Sequence, residues 1–142
     1  YRNRCTITTP DGPLTLSIPI KRADSKQLTR DVEISYQQRW QHQHWIALTS
    51  AYKRTPYFDD YADFFRPFYE KETKFLVDFN EKIHEVIVRL MANQAKGEEA
   101  KRLLGKNRTT DWQGLDLEPC FGNGQSILDL LFEYGPETIM KI

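Results

Sequence analysis

An α+β domain, with a short β-rich front and a mainly helical rear, is predicted by three features of the 142-residue chain. Apolar and polar residues alternate from Leu14 to Ile20, and apolar residues recur at helical spacing from Trp40 onward. The length suits one core, because a chain near this size removes roughly 70% of its unfolded surface from water. Residues 1–142 are therefore expected to form a single domain.

The β-branched run Cys5 to Thr9, the turn residues Pro10-Asp11-Gly12-Pro13 and the alternating run Leu14 to Ile20 predict a β-hairpin. Pro19 cannot donate to a ladder, so the second strand is expected at an edge or to end there. Val32 and Ile34 suggest a third short strand. Ser35 and Gln38 have capping-box spacing, so a helix is expected from there to about Lys53, with His44 on its inward face and His42 opposite. Thr55-Pro56 marks the next helix start, which Pro67 is expected to break or kink. A third helix is expected near Lys74 to Asn93, with Phe75, Phe79, Ile83, Val86, Ile87 and Leu90 on one stripe. A short helix is expected over Glu98 to Leu104, then a loop over Lys106 to Gly124. Ser126 and Asp129 repeat the capping pattern before a largely buried helix, Ile127 to Tyr134, which Gly135-Pro136 stops. The chain opens at Tyr1 and enters strand-like sequence at once, so an upstream strand is expected to have been lost.

Twenty basic and twenty acidic residues leave no net charge, which argues against general affinity for nucleic acid. The charge is asymmetric: residues 1–54 hold 9 basic and 4 acidic side chains, and residues 55–142 hold 11 and 16. The front is thus the half expected to meet an anionic ligand. No stretch approaches the roughly 20 apolar residues of a membrane span, and a cytoplasmic location is expected. Cys5 and Cys120 share no metal or redox spacing, the three histidines have no zinc pattern, and no glycine-rich phosphate loop is present. No cofactor is expected.

Arg2 and Arg4 stand two apart on the first strand, so both side chains share one face, while Asn3 takes the other. With Lys21 and Arg22 these guanidinium groups could hold a phosphate or carboxylate; an exposed charged strand has the same spacing. His44 is the candidate for acid–base work, since an imidazole near neutral pKa on an apolar helix face can exchange a proton with substrate; a structural histidine fits the position too. The guanidinium groups and His44 are expected to converge on one cleft.

Four stretches, YRNRCTI, LTLSIPIKR with DVEIS, WQHQHWIALTSAYKRTPYFDDYADFFRPFYE, and SILDLLFEYGPET, resemble the WbqC-like protein family. The resemblance implies a place in bacterial O-antigen or capsule assembly. It also implies a transferase role on a nucleotide-activated or sugar substrate, with glycyl or other acyl transfer as one form, and an anionic partner such as a nucleotide sugar or activated acyl donor. A non-enzymatic scaffold of the same assembly is the alternative. The matched polar and aromatic positions are Arg2, Asn3, Arg4, Trp40, His44, Trp45, Tyr52, Ser126 and Asp129. The resemblance makes Trp40, Tyr52 and Asp129 candidate substrate contacts alongside the basic residues.

Overall fold

The structure, a computed structural model, describes residues 3–21, 28–92, 120–121 and 125–140. Strands β1 (Arg4–Thr9) and β2 (Gly12–Ser17) form an antiparallel hairpin running in register from Arg4↔Ser17 to Thr9↔Gly12. Gly12 takes a φ of 115°, which a side chain rarely tolerates, and the Thr9 hydroxyl closes the turn by donating to the Gly12 carbonyl at 2.7 Å. Ladder pairing continues one step past β2, where the Ile18 N–H donates to the Asn3 carbonyl at 2.8 Å. Pro19 then ends it, as expected.

The expected third strand is replaced by isolated bridges. Ile20 pairs with Ile34 on one side, and Glu33 pairs with Phe75 on the other. Each edge of this extended segment serves a different neighbour: the Lys21 N–H donates to Glu33, and the Ile34 N–H donates to Lys74. No neighbour runs alongside for long enough to make a strand. Val32 and Ile34 are nonetheless buried, with Ile18, Trp40, Leu76 and Phe79 around them.

Helix α1 (Trp40–Tyr52) starts five residues later than the expected Ser35. The Ser35 N–H is committed to the Pro19 carbonyl, and the Tyr36 hydroxyl is pinned to the Thr73 backbone, accepting from its N–H at 2.7 Å and donating to its carbonyl at 2.8 Å. These bonds tie residues 35–36 to other parts of the chain, so the Ser35/Gln38 pattern caps nothing. Helix α2 (Phe58–Glu70) likewise begins after Thr55-Pro56, because the Thr55 hydroxyl donates back to the Tyr52 carbonyl and closes α1 instead. Pro67 does not break α2; it sits exposed in the last turn, and the carbonyl its missing N–H leaves free belongs to Asp63, itself on the exposed face. Helix α3 (Leu76–Ala92) matches its expected span and buries Leu76, Phe79, Ile87, Val88, Leu90 and Met91.

The two-residue strands β3 (Cys120–Phe121) and β4 (Gln125–Ser126) pair within the expected loop and lead into α4 (Ile127–Tyr134). Leu130, Leu131 and Phe132 are fully enclosed, each worth about 1.5–3 kcal/mol in apolar burial. Leu131 and Phe132 complete the main core with Ile7, Leu48, Tyr52, Phe58, Phe65 and Ile87. The expected helix over 98–104 and most of the loop over 106–124 lie outside the described residues.

Gly135 ends α4 with a φ of 52°, and a Cβ built there would stand 2.6 Å from the Tyr57 ring. Gly135→Ala is expected to lower stability by about 1–3 kcal/mol in denaturant melts. Gly12→Ala, which meets nothing within 4 Å, should cost only its backbone strain and so less than Gly135→Ala.

Candidate functional site

The capping residue of α4 does more than start a helix. One oxygen of Asp129, Oδ2, accepts from the Ser126 N–H at 2.8 Å, while the Ser126 hydroxyl accepts from the Leu128 N–H, completing the expected capping box. The same carboxylate reaches β1, accepting from the Thr8 N–H at 3.1 Å and the Thr8 hydroxyl at 3.0 Å, and reaches α1 through the Tyr52 hydroxyl at 2.5 Å. Asp129 is buried, and a buried carboxylate is tolerated only when its lone pairs are met. Four donors meet them here. Burial raises the Tyr52 phenol above its ordinary range, and the Asp129 hydrogen bond and charge raise it further, so this hydroxyl remains a donor at neutral pH. The Cys5 thiol lies 3.8 Å from the Ser126 hydroxyl at the edge of this network.

Two turns back on the same face of α1 stands His44, only 7% exposed. Trp40, His44, Leu48 and Tyr52, spaced four apart, form the buried stripe of the helix. The imidazole meets Trp40 edge-on at 5.1 Å and Tyr69 at 6.4 Å between ring centres. Burial lowers its pKa from the ordinary 6.5, and a hydrogen bond to the Ser17 backbone opposes that shift in part. A bond that favours the protonated ring is one in which imidazole N–H donates to carbonyl. The neutral ring then keeps its second nitrogen as an acceptor. The indole Nε1 of Trp40, also buried, has no hydrogen-bond partner among the described residues.

The described basic candidates, Arg4 and Lys21, are exposed. Arg4 is exposed, and strand alternation sets it with Thr6 on the outer face of the hairpin, while Cys5 and Ile7 pack inward. Arg4 pairs in register with Ser17, the residue His44 bonds. Asn3 uses its carboxamide on the Ile18 carbonyl at 3.1 Å, bracing the open end of the hairpin. Lys21 is 2.6 Å from Glu33, which Lys74 also approaches at 3.6 Å. These lysines, Lys21 foremost, hold the Glu33 carboxyl below its usual range. Arg2 and Arg22 lie outside the described residues.

The structure thus joins Trp40 to His44 and Tyr52 to Asp129, and leaves Arg4 and Lys21 on the surface. Among the described residues no cluster of His, Cys, Asp and Glu is placed to hold a metal, and no helix is long and apolar enough to cross a membrane. Thr8 as a tether and Cys5 beside Ser126 were not anticipated, because both contacts span 121 residues and leave no local pattern.

A family model, described as the WbqC-like protein family, matches residues 1–118. The chain belongs to the WbqC-like protein family. The match covers the hairpin and all of α1 to α3, with His44 and Tyr52, and ends before β3. Ser126 and Asp129 lie beyond it, yet they bind the matched region together. Comparison with curated proteins and with solved structures finds no match.

For this WbqC-like chain, Tyr52→Phe is expected to cost about 1.5–3 kcal/mol, the range for a hydrogen bond to a charged group. Asp129→Ala should cost more, because it strands several buried donors. A double-mutant cycle in denaturant should show coupling of about 1 kcal/mol or more between the two; additive effects would show that the contact carries no energy.

Proposed function

We propose that this WbqC-like chain is a transferase of bacterial surface-polysaccharide assembly, of the O-antigen or capsule type, that moves a glycyl or other acyl group from an activated anionic donor to a sugar. Family membership supports the setting. The observation that carries the chemistry is His44: a neutral imidazole with its N–H given to Ser17 and its other nitrogen able to accept a proton. In the step proposed, an amine or hydroxyl of the acceptor sugar attacks the acyl carbon and gives its proton to His44. The bond from the acyl carbon to the donor's leaving group then breaks, and that group departs with the bonding pair. Base catalysis of this kind contributes about 10²–10⁴-fold. Arg4, across the ladder from Ser17, supplies positive charge for the donor, and Arg2, two residues before it in the sequence, is the second candidate. Tyr52 and Asp129 serve as positioning residues, since they hold the hairpin, and with it Ser17, against α1.

A second reading, a non-enzymatic member of the same assembly, draws on one observation. The His44 ring is almost wholly enclosed by protein groups, as a structural histidine would be.

The two readings separate in the full-length protein. His44→Gln is expected to reduce acyl transfer about 10²–10⁴-fold with the fold intact by circular dichroism. The wild-type rate should fall as pH drops below 6.5 and the ring begins to take up a proton, and that fall should vanish in the variant. Unchanged turnover, or a pH profile that His44→Gln does not move, would remove His44 from the chemistry.

A further inference from the structure

Beside Tyr36, whose ring lies 5.8 Å from that of Trp40, is an open depression of about 580 Å³, lined by Lys21, Ile34, Tyr36, Gln37, Glu72, Thr73 and Lys74. Three features define what it can take. Its aromatic wall is rigid: the Tyr36 hydroxyl is held by both backbone groups of Thr73, and its ring rests 5.8 Å from that of Trp40. Its cations are already countered. Lys21 and Lys74 share the Glu33 carboxylate, Lys74 also lies 5.0 Å over the Phe75 ring, and Glu72 adds a second negative charge to the wall. Among the described residues, two ammonium groups stand against two carboxylates and leave no net charge to draw in an anion over distance. Its polar groups are mixed in kind: ammonium donors, a carboxylate acceptor and the Gln37 carboxamide, which both donates and accepts.

We propose that this depression is a sugar-binding subsite for a neutral pyranose, whose hydroxyl groups donate and accept in turn. The apolar face of such a ring fits the Tyr36 side, while Gln37, Glu72 and the lysines meet its hydroxyl groups. An open, charge-balanced concavity with one fixed aromatic wall favours this ligand over a nucleotide or a free phosphate, which call for uncompensated positive charge. As the acceptor subsite the depression rests on the transferase reading above. As a sugar site it does not, and a binding measurement without turnover separates the two.

The test is a titration of the full-length protein with methyl glycosides of galactose and N-acetylglucosamine, and with glucuronate and inorganic phosphate, followed by amide chemical shifts. Neutral glycosides are expected to move the Gln37 and Thr73 amides, with a Kd that changes less than twofold between low and high salt. Gln37→Ala and Glu72→Gln should each weaken binding at least fivefold while leaving the remaining spectrum unchanged. Shifts only with glucuronate or phosphate, fading as salt rises, would overturn the proposal in favour of an anion site. No shift at tens of millimolar glycoside would overturn it outright. Sugar binding without acyl transfer would leave the subsite standing and count against the transferase reading alone.

Discussion

The tertiary arrangement depends on one buried carboxylate. Asp129 receives donors from three parts of the chain that are remote in sequence: Thr8 on β1, Tyr52 at the end of α1 and Ser126 at the start of α4. A buried charge is costly when left alone, and its presence here is sustained because each donor also needs an acceptor once removed from water. The cost and the benefit are therefore linked. Losing one element leaves the groups of the others unsatisfied, which is how a single side chain makes the packing of hairpin, helix and C-terminal segment cooperative.

The consequences run along α1. Its buried residues recur every fourth position, so the joint at Tyr52 and the imidazole at His44 lie on one line of the helix surface. Fixing the hairpin against Tyr52 also fixes it against His44, whose partner is the backbone of Ser17 in β2. The same line ends at Trp40, whose ring contacts both His44 and Tyr36, a residue lining the depression. A bond network that reads as structural at one end thus orders the groups of chemical interest at the other.

The features visible in the amino-acid sequence were those governed by nearby residues. The Ser126/Asp129 spacing announced a capping box and one is formed, and the apolar stripe of α3 and the inward position of His44 followed from helical periodicity alone. The same motif at Ser35 and Gln38 failed because Ser35 and Tyr36 are claimed by Pro19 and Thr73, and no local rule weighs that competition. Val32 and Ile34 alternate as a strand would, but whether such a segment forms one depends on what lies alongside it, and here only isolated bridges form. How the hairpin docks against α1 is decided by contacts spanning more than a hundred residues, which no short window of sequence shows. The carboxylate of Asp129 looked like a cap because its other three partners are invisible to any short window.

The most direct test of the central role of Asp129 is native-state hydrogen exchange of the Thr8 amide. If the carboxylate joins the hairpin to the core, this amide, which donates to Asp129, should exchange as slowly as amides in the middle of α1 and with the same denaturant dependence. Rapid exchange at Thr8 while α1 stays protected would contradict the account, showing that the hairpin opens freely and that Asp129 does no more than cap its own helix.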